Sequence, residues 1–420
     1  MTKKKIIIIS EYNIFNSIGG TEKYVDTLIK GLCESGFELI FITQGKEHEL
    51  ISEIIHFEQY SYVTHFIPSV SFGTKEIKQE ITSQTWQYID PLLKSFNPDY
   101  VHIHTLSTFF NIRHIEKCVT YRLKLFLSLH VPGHLCLKGD LIKYNKIPCD
   151  GIIGNQCKLC QFSTGIKKGV SNILYNYSGK ISQNIKLLDK LNVKVICTSE
   201  WQKKQLILNG YSEKQAFVVR QMIDPLEYSE IVDFAPKQFQ TIGYLGRLSV
   251  EKGTKMLFEL IKRLSNDGRF KFVLGVPNSN SSIRELNKLK IFEENLKENL
   301  TVRFDINQSN KQDFFKSIDC LFIPSFVIET GPIVLLESLL YQRRVIAPRV
   351  GGPLEFFHEF GDDIILYDWN YADSAFDCIK RLAFSENYFH LSKNYGQVFS
   401  DSVNIFIEKH MLIYLHNDGK

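Results

Sequence analysis

No uninterrupted apolar run in this sequence approaches the ~18 residues that a membrane-spanning helix needs, so the chain is not expected to be integral to a membrane. A conspicuous short run, Ile6-Ile7-Ile8-Ile9 behind Lys3-Lys4-Lys5, stops at Ser10 and Glu11 and is too short for the apolar segment of a secretory signal. A soluble cytoplasmic enzyme is the default expectation. Charge of one sign is scarce as well. Fifty Lys+Arg against 46 Asp+Glu leave +4, too weak a bias for nucleic acid to be the main partner. The cationic excess sits in residues 1–230, with 27 Lys+Arg against 22 Asp+Glu, while residues 231–420 hold 23 against 24. That asymmetry suits an anionic acceptor or a membrane surface. The nine cysteines are an odd number, and Cys33, Cys197, Cys320 and Cys378 stand singly in apolar contexts. They read as buried thiols in a reducing compartment rather than as a disulfide framework.

What is present is core-forming material: 44% hydrophobic and 23% charged residues over 420 positions. This excludes intrinsic disorder and, at about 100 to 200 residues per domain, suggests two or three globular units. Short β-branched or aromatic runs alternate with amphipathic stretches: Ile6–Ser10, Glu22–Cys33, Glu38–Thr43, Tyr100–His104, Lys124–His130 and Val193–Thr198. A second series runs through Thr241–Gly246, Thr254–Leu264, Phe270–Gly275, Leu300–Phe304, Cys320–Pro324, Pro332–Gln342 and Arg344–Ala347. Such alternation predicts parallel α/β units. Tyr24, Val25, Leu28, Ile29 and Leu32 fall on one helical face, and Val403, Ile407, Met411 and Leu415 recur at helical spacing in a closing helix, Asp401–His416. The pattern breaks near Asp233–Gln240, which places the domain seam there. The expected domains are residues 1–235, with an irregular insertion at 131–172, then 236–400, then the closing helix at 401–420.

Four places carry candidate chemistry. Gly19-Gly20-Thr21-Glu22 brings a glycine turn and free N–H groups to the end of the first strand, a place that binds anions; a tight loop with a helix cap at Thr21 is the alternative. Gly246-Arg247-Leu248-Ser249-Val250-Glu251-Lys252-Gly253 follows a strand and offers two cations five residues apart, which suits a diphosphate. Its bland reading is a solvated charge pair between Arg247 and Glu251. Glu329-Thr330-Gly331-Pro332-Ile333-Val334-Leu335-Leu336-Glu337 opens a mostly apolar helix in which Pro332 suits the first position. Glu337 is costly to bury without partners, and ribose hydroxyls would satisfy it. Glu329 is placed to accept from a sugar ring; one capping and one salt-bridged glutamate is the alternative. The fourth is Gly351-Gly352-Pro353-Leu354-Glu355, another glycine turn. The first glycine turn lacks the GxGxxG dinucleotide fingerprint, which argues against an NAD-dependent oxidoreductase.

In this order, these segments resemble the retaining glycosyltransferases of the GT-B fold, family 4 (group 1), together with Asn97-Pro98-Asp99-Tyr100-Val101-His102-Ile103-His104 and Thr198-Ser199-Glu200-Trp201. The resemblance implies an α/β chain of two Rossmann-like parallel-sheet domains facing a cleft. The first domain would bind acceptor and the second a nucleotide-sugar. Carried over by position, Arg247 and Lys252 hold the donor diphosphate, Glu337 the ribose and Glu329 the hydroxyls of the transferred sugar. Gly331 and Ile333 supply main-chain N–H groups, and Gly19 and Gly20 approach the phosphate or acceptor. His130, at the end of its strand, matches the family histidine beside the reacting carbon; His102, His104 and His134 are assigned ordinary hydrogen-bonded roles. The implied activity is transfer of a sugar from a UDP- or GDP-sugar to a surface-polysaccharide or lipid-linked glycan acceptor. No metal is required for it and no nucleic acid is involved, and the implied location is cytoplasmic, peripheral contact with the inner face of the membrane being left open. Two departures stand out: Pro332 where the family more often has Gly, and Gly275-Val276-Pro277 in place of a Gly-Asp-Gly turn. A non-catalytic nucleotide-sugar-binding subunit, or a phosphorylase or epimerase on the same fold, are the competing readings.

The insertion holds Cys136, Cys149, Cys157 and Cys160, the last two as a CxxC, and six lysines from Lys138 to Lys168. Its spacing admits two readings, a tetrahedral structural zinc or free thiols. The lysines suit an anionic acceptor or a solvated loop.

Overall fold

A run of four isoleucines flanked by lysines can bury both faces of a strand, and Ile6 to Ile9 are wholly buried in β1, Lys5–Ser10. The computed structural model describes residues 3–15, 19–46, 49–68, 77–107, 109–136, 139–144, 146–162, 177–223, 239–265, 268–289, 299–307, 309–383 and 391–415. Most of the expected seam at Asp233–Gln240, the stretch 163–172 of the insertion with its Lys167 and Lys168, Lys138, and Ser17-Ile18 before the first glycine pair lie outside those residues. The chain divides into two compact units. The first comprises Met1–Gly139, Gly151–Gln221 and Val403–Lys420, the second Asp140–Asp150 and Met222–Ser402.

In the first unit, β1 is joined by β2 (Glu38–Gln44), β3 (Ile51–Phe57), β4 (Tyr60–Ile67), β5 (Tyr100–His104), β6 (Lys124–Leu129), β9 (Lys194–Cys197) and β10 (Ala216–Val218). The spatial order is β10-β9-β6-β5-β1-β2-β4-β3. Neighbours are parallel except β3, which pairs antiparallel with β4 as an edge hairpin that the sequence reading did not anticipate. The Gly20–Glu34 helix buries Tyr24, Val25, Leu28, Ile29 and Leu32, the face its periodicity predicts. The closing helix, Ser402–Leu415, docks on it so closely that a Cβ on Gly31 would lie 2.3 Å from Ile407 Cδ1. Its buried face differs from the expected one: Phe406, Ile407, His410, Ile413 and Tyr414 are inside, while Leu415 is exposed. The reason is that His410 and Tyr414 have buried hydrogen-bond partners, so polar residues line the face.

The second unit contains β11 (Thr241–Leu245), β12 (Lys271–Val276), β13 (Leu300–Phe304), β14 (Cys320–Phe322), β15 (Arg344–Pro348) and β16 (Ile364–Tyr367). They form an all-parallel sheet in the order β13-β12-β11-β14-β15-β16. Successive residues of each strand feed opposite cores. Phe272, Leu274 and Phe322 pack with Leu257, Leu260 and Ile261 of the Thr254–Ser265 helix. Val273, Leu321 and Val345 pack with Leu335, Leu336 and Leu339 of the Ile333–Leu340 helix. Helices thus cover both faces, the doubly wound arrangement that carries ligands at the carboxyl ends of its strands. A small antiparallel pair, β7 (Ile142–Lys143) and β8 (Ile147–Pro148), lies in Asp140–Asp150. No helix among the described residues is long and apolar enough to cross a membrane.

Candidate active site

The predicted donor residues of the second unit converge on two loops at the carboxyl ends of β11 and β14. Gly253, at φ 73°, lies so close to the following loop that a Cβ there would sit 1.8 Å from the Pro324 carbonyl oxygen. Only a residue without a Cβ permits that approach. The N–H groups of Phe326 and Val327 both donate to the Glu251 carbonyl, at 2.9 and 3.0 Å, so the loops are joined main chain to main chain. On the far side the Gly352 N–H donates to the Glu329 carbonyl at 2.8 Å. A Cβ on Gly351 would lie 2.5 Å from that same oxygen, and one on Gly352 would lie 2.7 Å from the Thr330 carbonyl. The Gly351-Gly352 turn therefore packs against the Glu329 segment. The Ile328 N–H donates to the Asp140 carbonyl at 3.2 Å, which ties the β7–β8 segment to the same place.

This scaffold brings Lys252 Nζ to 2.6 Å from Glu329 Oε1, and the Ser325 hydroxyl donates to the same oxygen at 2.7 Å. Burial on its own would raise the Glu329 carboxyl. The charge of Lys252, its hydrogen bond, that of Ser325 and the charge of Arg247 outweigh burial and hold the carboxyl below its ordinary value. Arg247 itself is exposed beyond Tyr244, whose hydroxyl donates to the Arg247 carbonyl at 2.6 Å. Two cations and a carboxylate thus share one rim.

Glu337 is 4% exposed on the Ile333–Leu340 helix. Its partner is Lys311, with Nζ 2.7 Å from Glu337 Oε1. Sequence reasoning missed Lys311, because the pair spans 26 residues and no local spacing announces it. The helix begins one residue later than predicted, with Pro332 as its cap at ψ 113° rather than its first residue. The N–H groups of Ile333 and its successors open the helix there, and Gly331 is half-buried beside them.

In the first unit, Gly19 rather than Thr21 caps the Gly20–Glu34 helix, in extended conformation and without a side-chain cap. His130 follows β6 directly, at 6% exposure. Its Nε2 lies 3.0 Å from His104 Nδ1. His102 meets the Tyr414 hydroxyl at 2.6 Å and Ser128 Oγ at 2.8 Å, and the Tyr24 hydroxyl lies 2.9 Å from His410 Nε2. Burial, with the charge of neighbouring histidines, pushes His130 down to about 3; burial likewise takes His134 and His410 to about 4, and the last two of these stay neutral with it. His104 was expected to play an ordinary hydrogen-bonded role, and its partner is His130. No spacing rule links the two, because they meet only when β5 and β6 pair.

The four insertion cysteines have free thiols, each partly exposed. Among the described residues no group of three or more His, Cys, Asp or Glu is placed to hold a metal ion. Cys149 Sγ lies 3.6 Å from Asp150 Oδ1 and Cys157 Sγ 3.9 Å from the Ile152 carbonyl, and Cys149 belongs to the second unit while Cys136, Cys157 and Cys160 belong to the first.

Residues 18–226 match the model of Glycosyltransferase Family 4, and residues 230–394 that of Glycosyl transferases group 1. Among solved structures the chain is similar to sucrose-phosphate synthase from Thermosynechococcus elongatus, at 14% identity over 99% of this chain and 97% of that one, TM-score 0.68. It is also similar to HepE from Anabaena in complex with UDP and glucose, at 13% identity, 97% and 98% coverage, TM-score 0.65. A third likeness is α,α-trehalose 6-phosphate synthase from Burkholderia multivorans, at 9% identity, 99% coverage of both chains, TM-score 0.66. A search of curated proteins returned no match. Fold and matches together define a two-domain glycosyltransferase of the GT-B fold. Within that class the chain resembles the group 1 enzymes, with a family 4 first half.

Proposed function

We propose that this chain is a retaining glycosyltransferase that moves a hexose unit from a UDP- or GDP-sugar to a hydroxyl of a surface-polysaccharide or lipid-linked glycan, working in the cytoplasm at the inner face of the membrane. The observation that carries the reading is the Lys252–Glu329 pair at 2.6 Å, held by two glycine-dependent loop contacts beside Arg247. In this reading Arg247 and Lys252 receive the donor diphosphate, with the N–H groups of Gly331 and Ile333 and the Gly19-Gly20 turn as further donors. Glu329, kept ionised, accepts from hydroxyls of the sugar. Glu337 takes the ribose, with Lys311 offsetting the cost of burying its carboxylate. His130 lies beside the reacting carbon.

As the bond from the sugar's anomeric carbon to the diphosphate oxygen breaks, its electron pair leaves with the nucleoside diphosphate. Arg247 and Lys252 stabilise that growing charge. The acceptor hydroxyl bonds to the same face of the carbon, and its proton passes to the departing phosphate oxygen, so charge and atoms balance without a metal. The HepE complex with UDP and glucose supports a uridine donor. The test is incubation with UDP-glucose, GDP-mannose and ADP-glucose plus an alcohol acceptor, with the anomeric configuration of product read by proton NMR. A product with the donor's configuration, abolished by Glu329→Ala, supports the reading. Inversion, or nucleotide binding without turnover, overturns it.

A further inference from the structure

The loop that leaves β1 presents two aromatic rings to solvent. Tyr12 is 44% exposed and Phe15 46%, although both follow closely on a strand that is buried along most of its length. The loop is built rather than loose. The Ser10 hydroxyl donates to the Tyr12 carbonyl at 3.2 Å, and the Phe15 N–H donates to the Asn13 side-chain oxygen at 2.9 Å, a turn that sets the direction of the chain at Phe15. The Phe15 ring is braced against Phe66, with centroids 5.9 Å apart and planes at 54°. Phe66 is itself fixed in β4, in register with Thr43 of β2 and Ile51 of β3, and a Cβ on Gly45 would lie 3.0 Å from its own. A ring held in this way has little freedom left to lose when a ligand lands on it.

Placement and composition narrow what lands there. Ser10, the last residue of β1, is in register with Thr43 on one side and His104 on the other, and His104 meets His130. The loop therefore opens from the carboxyl end of the first sheet, the end at which α/β folds bind ligands and at which His130 stands. Rigidly scaffolded loops there are where recognition is placed. The stretch Ser10-Glu11-Tyr12-Asn13-Ile14-Phe15 holds no cation, and its one charge is Glu11. A phosphate or an anionic lipid headgroup has nothing in it to pair with. The Asn13 amide and the Tyr12 hydroxyl are interleaved with the rings, which does not suit an alkyl tail. Aromatic faces among neutral hydrogen-bonding groups suit a sugar, whose pyranose ring turns apolar C–H groups to one face and hydroxyls to its edge.

We propose that Tyr12 and Phe15 form an aromatic platform that binds a neutral hexopyranose of the acceptor, the C–H face of the sugar lying on the rings. This rests on the reading of the chain as a glycosyltransferase whose first unit takes a glycan acceptor. It adds which part of the acceptor is recognised, a sugar rather than a lipid or a phosphate, and which side chains recognise it.

The test uses the full-length chain and does not need the natural acceptor. Saturation-transfer NMR with octyl β-glucoside and octyl β-galactoside, each below its micelle concentration, reads which protons of the probe lie against the protein. The expected result is transfer concentrated on the sugar-ring protons. The dissociation constant should rise about tenfold in Tyr12→Leu and in Phe15→Leu, which keep apolar bulk and remove the ring face, and be kept in Phe15→Tyr. Transfer concentrated on the octyl chain would make the patch a lipid site, and self-association of wild type that is lost in Phe15→Leu would make it a contact between copies; either overturns the proposal. So does the absence of transfer to both glycosides in wild type, or unchanged affinity in both leucine variants. If Phe15→Leu fails to fold, the wild-type transfer pattern and Tyr12→Leu decide. Turnover of nucleotide-sugars by wild type separates the two levels. Platform-dependent binding of the glycosides with no nucleotide-sugar consumed sinks the functional reading alone, whereas sugar transfer with unaltered binding in both leucine variants sinks only the platform.

Discussion

Replacing Lys252 with Met keeps most of its length and removes its charge, leaving Glu329 with the Ser325 hydroxyl and the more distant Arg247. Lys252 is 33% exposed and Glu329 15%, so the pair lies between the exposed and buried limits. Exposed pairs contribute about 0–1 kcal/mol and broken buried pairs cost about 3–5 kcal/mol, which puts the loss near 2 kcal/mol. For a unit of roughly 150–250 residues that is a fall of about 4–8 °C in melting temperature. The loss should also depend on pH in a defined direction. In wild type the Glu329 carboxyl lies below its ordinary 4.5, so its contribution to stability is present above that value and fades as pH falls through the lower folded one. Without Lys252, burial prevails and the carboxyl rises, so the group opposes folding at neutral pH and stops doing so in acid. The wild-type advantage is therefore largest near neutrality and shrinks toward about pH 4. Calorimetric melts of both proteins at the two pH values give the answer. An equal deficit at both, or none at neutrality, would refute the electrostatic account and reduce Lys252 to packing.

Gly253→Ala should cost about 3 kcal/mol or more, since its Cβ would sit 1.8 Å from the Pro324 carbonyl at φ 73°; soluble yield and thermal melts check this. Lys311→Ala removes the ammonium paired with the 4% exposed Glu337 and should cost about 3 kcal/mol, and adding Glu337→Gln should recover part of that in urea titrations. Gly31→Ala forces Ile407 away and should lower the melting temperature, with Ile407→Ala in the same chain partly restoring it. The buried histidines at about 3 (His130) and about 4 (His134 and His410) bind protons in the unfolded chain before the folded one. Stability should accordingly be complete above their ordinary 6.5 and fall as pH drops toward those values, and an acid titration followed by circular dichroism should move to lower pH in His410→Phe.

Much of this was written in local pattern. The strands Tyr100–His104 and Leu300–Phe304 have the expected bounds residue for residue; the first is buried along its whole length, as a central parallel strand is, while the second is a partly exposed edge strand. The charged loop ending at Gly253 and the Glu329 segment were legible because each packs its chemistry into a few consecutive residues. What was not legible depends on residues that meet only in three dimensions. Lys311 reaches Glu337 across 26 positions, and His104 reaches His130 across 26 through strand pairing. The closing helix misled an apolar count because its inner face holds His410 and Tyr414, polar groups that are buried with partners on the Gly20–Glu34 helix (Tyr24) and on β5 (His102).

The most direct test of the donor-site assignment is a thermal-shift titration with UDP, GDP and ADP of wild type, Arg247→Ala and Lys252→Met. One nucleoside diphosphate at about a hundred times its dissociation constant should stabilise the wild type by about 2.7 kcal/mol, and both variants should need a higher concentration for the same shift. No shift with any of the three, or an identical shift in both variants, contradicts a diphosphate held by Arg247 and Lys252.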